Sequence, residues 1–181
     1  MHMPPSQSLV KQSKTMLKIF NNLHDIDFRQ LMDVYAETNI MNGTERYGRY
    51  SENLRILYAE QDFYNYLCLF FKENSARYAV WERDGVYMAA LRIEHYADGL
   101  IMSALETAPE HRCKGCASLL IKSTIRYLKT LGKGMLYSHI NKSNYASLLV
   151  HKRCGFRVIS EEAEYLDGTI VRDAYTLSLE Y

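Results

Sequence analysis

A chain of 181 residues with 48% apolar content is long enough to bury one full core, and its length favours a single domain over two. Its 22 basic and 21 acidic residues leave a net charge of +1, too weak a field to argue for nucleic acid or an anionic membrane as a partner. Apolar runs such as Tyr66 to Phe71 fall far short of the roughly 20 residues that cross a bilayer.

Residues 1–15 are polar, contain Pro4-Pro5 and lack the apolar stretch of a secretory signal. They read as a disordered tail or an expression remnant, with residues 16–181 forming the domain of a soluble, cytoplasmic protein. Leu17 to Asn22 reads as a first strand, and Phe28, Leu31, Met32, Tyr35 and Ala36 as the apolar stripe of a helix. Asn42-Gly43-Thr44 and Gly48 mark a loop, after which Glu52 to Lys72 form a second helical stretch. From Arg77 the pattern changes to strands, Arg77 to Arg83, Val86 to Tyr96 and Leu100 to Thr107, separated by Asp84-Gly85 and Asp98-Gly99 turns.

Thr107 to Ala117 joins the last of these strands to a helix through a basic, glycine-bearing turn. The first N–H groups of a helix lack intrahelical partners and sit at the positive end of its dipole, which suits a phosphate. Arg112 and Lys114 add positive charge, and Gly115 lets a ligand approach the main chain. From Cys116, the residues Leu120, Ile121, Thr124, Ile125, Leu128 and Leu131 recur at helical spacing until Gly132 supplies a stop. A strand from Met135 to Ile140, a helix from Asn144 to Arg153 and two strands around Phe156 to Tyr165 and Val171 to Glu180 complete the chain. This order gives an α+β domain with a mixed, mostly antiparallel sheet and helices on both faces.

Cys113-Lys-Gly-Cys116 has a spacing that serves zinc or redox chemistry, but Cys68 and Cys154 form no second pair, so no metal is expected. The two thiols read as ordinary or as a redox-sensitive element of the turn, since a helix N-terminus should lower the pKa of Cys116.

Arg112-Cys-Lys-Gly115-Cys-Ala117, with Pro109 three residues earlier, resembles the Arg/Gln-x-x-Gly-x-Gly/Ala pyrophosphate loop of the GNAT superfamily of acyl-CoA-dependent N-acyltransferases. Asn144-Tyr-Ala-Ser147-Leu-Leu-Val-His151-Lys-Arg-Cys-Gly155-Phe156 is similar to the Asn-x-x-Ala-x-x-Leu-Tyr-x-x-x-Gly-Phe helix of the same family. The resemblance covers roughly residues 77 to 181. It implies acetyl-CoA as cofactor, its pyrophosphate on the N–H groups of Cys113, Lys114, Gly115, Cys116 and Ala117 beside Arg112. It also implies that the strands 100–107 and 135–140 splay apart, with the pantetheine arm bonded to backbone near Leu105 and Thr107. Asn144 then reads as a cofactor contact, a helix cap, or both. Homodimers are common among relatives of this kind.

The implied reaction moves an acetyl group to a primary amine of a small molecule or peptide. An amine of pKa near 10.4 costs about 4.6 kcal/mol to deprotonate at pH 7, so a base is useful. Glu106 and His139 are the candidates, against the plainer readings of a solvated carboxylate and a hydrogen-bonded sheet histidine. His151 stands where the family carries a tyrosine that protonates the departing thiolate. It reads as a substitute acid, which needs a raised pKa, or as a wall of the cofactor site. A chain that kept the loop but lost proton delivery would instead be a non-catalytic acyl-CoA sensor or interaction module. Residues 39 to 58 should wall the acceptor site.

Overall fold

The computed structural model describes residues 14–181. Most of the expected tail lies outside this range, and Thr15 already opens the first strand, β1 (Thr15–Phe20), two residues earlier than expected. The meander follows as β2 (Arg77–Arg83), β3 (Val86–Tyr96) and β4 (Gly99–Thr107), and β5 (Met135–Asn141), β6 (Arg157–Ser160) and β9 (Ala174–Glu180) extend the same sheet. A two-stranded hairpin, β7 (Ala163–Glu164) with β8 (Ile170–Val171), stands apart. The expected strand around Phe156 to Tyr165 is split by a bend at Glu161-Glu162 into β6 and β7, and an Asp167-Gly168 turn links β7 to β8.

The seven strands run in the order β1-β2-β3-β4-β5-β9-β6, antiparallel except for β4 and β5. This is the expected mixed, mostly antiparallel α+β architecture. Helix α4 (Cys116–Leu131) buries Leu120, Ile121, Thr124, Ile125 and Leu128 against one face of the sheet, and α5 (Tyr145–Arg153) packs beside it. Leu131, expected on the same stripe, is exposed at the end of the helix. The opposite face carries α1 (Phe28–Val34) and α3 (Glu52–Phe70), whose Leu31, Met32, Leu67 and Phe70 surround the buried ring of Tyr78.

Between them lies α2 (Ala36–Tyr47), which corrects the expected loop at Asn42-Gly43-Thr44. Gly43 is a helical residue because α2 crosses α3 there. A Cβ at this position would stand 2.6 Å from the carbonyl oxygen of Arg55. The glycine is thus a contact between two helices rather than a breaker.

Two irregularities in the sheet create the site. In β4, Ala90 pairs with Glu106 and Arg92 with Ser103, so Ala104 and Leu105 together face Leu91 in a bulge. Ala104 adopts a φ of 50°, and the Tyr35 hydroxyl donates to its carbonyl at 2.6 Å. Tyr78 in turn donates to the Tyr35 oxygen at 2.9 Å, so the bulge rests on two buried phenols. Beyond it β4 bends away from β5, whose pairing with β4 is confined to Leu100 with Leu136 and Ile101 with Tyr137.

Candidate active site

The separation of β4 and β5 leaves a wedge whose β4 edge carries Leu105, Glu106 and Thr107. The wedge runs towards the turn that precedes α4. There Cys113 and Gly115 adopt φ values of 58° and 79°, alternating with their neighbours in a way that gathers successive N–H groups into one concavity. Among the described residues, the N–H groups of Cys113 to Ala117 donate no backbone hydrogen bond, whereas Arg112 donates to Pro109 and Leu119 to Gly115. A Cβ on Gly115 would meet nothing within 4 Å, so the concavity is open. These features fit a pyrophosphate.

The two expected cations of the turn are differently placed. Arg112 donates from Nε to the carbonyl of Thr107 at 3.3 Å and from Nη1 to the Glu37 carboxylate of α2 at 2.6 Å, so it braces the turn against its neighbours. Lys114 donates to the carbonyl of Glu110 at 2.7 Å. Cys113 is exposed and Cys116 buried, both as free thiols. Burial pushes the Cys116 thiol up and outweighs nearby Arg83 and Lys114, so the lowered pKa expected at the helix start is not what this position favours. Among the described residues no group of His, Cys, Asp or Glu side chains is arranged to hold a metal.

Asn144 caps α5, its side-chain oxygen accepting the Ser147 N–H at 3.0 Å. One turn on, His151 is almost wholly buried, with its ring 5.2 Å from that of Phe156. Nδ1 lies 2.8 Å from the Ser147 carbonyl oxygen, which can only accept, so Nδ1 carries the hydrogen. Nε2, 3.2 Å from Ser138 Oγ on β5, is left to accept in the neutral ring. Burial lowers the His151 pKa more than the Ser147 carbonyl raises it. The resting side chain is therefore a neutral imidazole, and the raised pKa that an imidazolium acid requires is opposed by its surroundings.

Successive residues of a strand point to opposite faces, so His139 projects away from His151. It stands between the rings of Tyr96 and Tyr165, 5.1 and 5.2 Å away, with both ring nitrogens buried and without hydrogen-bond partners among the described residues. Burial lowers its pKa as well. His139 lines a cavity of about 330 Å³ with Ile101, Ser103, Arg92 and Tyr165. Glu106 lies on the same side of the sheet, its carboxylate accepting from Thr38 of α2 at 2.9 Å. Burial raises its pKa, against the Thr38 hydrogen bond and the charge of Arg112.

A second cavity of about 390 Å³ opens between α2, α3 and the bulge, lined by Tyr35, Thr38, Asn39, Asp62 and Phe63 among others. Tyr66 and Arg92 border both cavities. Of residues 39 to 58, expected to wall the acceptor site, Asn39, Asn42 and Arg46 line this second cavity, while β3 and the turn between β7 and β8 contribute lining that this stretch does not include. Arg92 was visible as a lone cation within the apolar run of β3, and the hairpin through Asp167-Gly168.

The model of the acetyltransferase (GNAT) family matches residues 34–156. No curated protein sequence matches the chain. Among solved structures, PaiA N-acetyltransferase from Thermoplasma acidophilum in complex with coenzyme A is 14% identical and superposes with a TM-score of 0.61 over 92% of this chain and 99% of its own. The ribosomal-protein-S18-alanine N-acetyltransferase from Escherichia coli is 16% identical, with a TM-score of 0.59 over 91% of this chain and 94% of its own. YncA from Salmonella typhimurium, whose structure carries acetyl-CoA, is 18% identical, with a TM-score of 0.54 over 92% and 93%. The family match over most of the chain, with the fold shared by these structures, gives one conclusion: this chain belongs to the GNAT acetyltransferase family, whose acyl donor is acetyl-CoA.

Proposed function

We propose that the protein is an N-acetyltransferase that moves an acetyl group from acetyl-CoA to a primary amine of a small molecule or peptide by direct attack. The observation that carries this reading is the junction of two sites at one gap. The phosphate turn lies at one end of the β4–β5 wedge, and a cavity lined by an unpartnered, neutral histidine opens beside the other. When bound, acetyl-CoA supplies the activated acyl carbon. The N–H groups of residues 113–117 hold its pyrophosphate, and the β4 edge near Leu105 and Thr107 aligns its arm.

His139 is the base favoured here. Its neutral ring lines that cavity with both nitrogens buried and unpartnered, and one of them can take the proton that the attacking amine releases once an amine enters beside it. Glu106 is occupied by Thr38 and lies close to Arg112, and its role is to hold α2 against the bulge. His151 acts as a neutral support for Ser138 rather than as a proton donor. A thiolate with a pKa around 8.5 regains a proton from water, so turnover does not require an enzyme acid at this position. The absence of the tyrosine therefore does not by itself make the chain a non-catalytic sensor.

The direct test incubates the protein with acetyl-CoA and a panel of primary amines, following both free thiol and the mass of the acceptor. Acceptor-dependent thiol release with a matching gain of one acetyl group is expected. Tight acetyl-CoA binding with no acetylated product from any amine class would point to the sensor.

A further inference from the structure

The acceptor side of the sheet contains one cation whose surroundings are unfinished. Arg92 projects from β3 between the two cavities. Its guanidinium carbon lies 4.5 Å from the centre of the Tyr66 ring and 5.9 Å from that of Phe70. Its Nε is buried without an acceptor, and Arg92 makes no salt bridge among the described residues. A guanidinium is a planar fork of five donors that matches a carboxylate in two parallel hydrogen bonds.

The acidic side chains that share these cavities already have partners. Asp62 accepts from Tyr47 at 2.7 Å and Arg46 at 3.3 Å. Glu94 accepts from Ser103 at 3.3 Å, and Asp167 accepts the Thr169 N–H of its own turn at 2.9 Å. Glu94, Asp167, His139 and Arg92 all border the smaller cavity. Its walls therefore offer a place for an ammonium group and a separate receptor for one carboxylate. At about 330 Å³ it sits at the small end of the roughly 300–1,000 Å³ range of ligand cavities.

We propose that the acceptor is a small amine bearing a carboxylate, of the amino-acid type, with the carboxylate on Arg92 and the amine directed to His139 at the β4–β5 gap. This deepens the transferase reading and rests on it. A simple polyamine would leave Arg92 unpaired and bring a second cation beside it.

The test compares free amino acids with their carboxamides, which keep the amine and side chain and remove the negative charge. Wild-type kcat/KM should favour the acids by at least about 30-fold, mostly through KM. Arg92→Gln should collapse that ratio, and Arg92→Lys should restore part of it, with acetyl-CoA affinity serving as the folding control. A second readout needs no turnover: an N-acetylated amino acid should bind the protein–coenzyme A complex more tightly than its carboxamide, and Arg92→Gln should remove the difference. Equal use of acids and amides by the wild type, with equal binding of the two products, overturns the proposal. Arg92-dependent binding of the N-acetylated acid with no amine acetylated at all would support the carboxylate site and sink the transferase reading instead.

Discussion

Ser138 and His151 are joined by a buried hydrogen bond of 3.2 Å between β5 and α5, in which the serine hydroxyl donates to Nε2 of a neutral ring. His151→Phe keeps the ring but leaves the Ser138 hydroxyl and the Ser147 carbonyl short of a partner. A loss of about 1–3 kcal/mol in unfolding free energy is expected, with turnover falling less than about tenfold. The pH–rate profile should show no decline as pH rises through 6.5. A hundredfold loss of turnover at unchanged stability would return His151 to the role of acid.

The two buried histidines also set a pH dependence of stability. Burial lowers the pKa of both His139 and His151 below 6.5, so below that pH the unfolded chain binds more protons than the folded one. Stability should therefore be full above about pH 6.5 and fall as pH drops through 6.5 towards the depressed folded values. Melting temperatures of the wild type and of His139→Gln/His151→Gln between pH 8 and 5 provide the measurement. A variant as acid-sensitive as the wild type would place the effect elsewhere.

Removing the proposed base should cost far more than altering its neighbour. His139→Ala is expected to lower kcat by roughly 10²-fold or more, while Glu106→Gln, which keeps a carbonyl acceptor for Thr38, should cost less than about tenfold. In the wild type the rate should rise with pH from about 6 to 8.5 as the amine is freed of its proton. The reverse order of the two variants would reassign the base to Glu106.

Gly115→Glu should abolish acetyl-CoA binding, because it sets a carboxylate into the concavity that gathers the N–H groups of residues 113–117. The fold should survive, since space is open there and the cost is that of a non-glycine residue at a φ of 79°, about 1–2 kcal/mol. Calorimetry reads the affinity, and circular dichroism the fold. Near-normal affinity would falsify the placement of the pyrophosphate.

At Gly43 the expectation is mechanical. Gly43→Ala forces α2 away from Arg55 of α3 and should destabilise the protein by about 1–3 kcal/mol, with loss of activity through the displaced Thr38 and Asn39. A fully stable alanine variant would mean that the helices part without consequence.

Local chemistry explains which parts of this molecule were readable in the chain. The bounds of β2 and β3 follow from two short, continuous apolar runs parted by an Asp84-Gly85 turn, and those of α4 from a stripe of buried residues ending at Gly132. The open turn before α4 was legible because glycine, cations and a helix start lie within a few residues. Gly43 was not, because what demands it is a backbone oxygen twelve positions away on another helix. The same holds for the cavities beside β3, where Tyr66 and Arg92 meet only after α3 has folded onto β3. His151 stood out by its spacing, but its protonation state depends on burial and on the Ser147 carbonyl, neither of which a motif encodes.

Among the described residues the β4–β5 ladder has two paired positions, so the sheet is two ladders held at one corner, β1 to β4 on one side and β5, β9 and β6 on the other. Edge groups facing such a gap are those of a strand awaiting a neighbour, and an arm built from amide links is the kind of neighbour they accept. Acetyl-CoA should then behave as a structural strut as well as a reagent. It should raise the melting temperature in proportion to the logarithm of its concentration once above Kd, and it should slow amide exchange along both lips of the wedge.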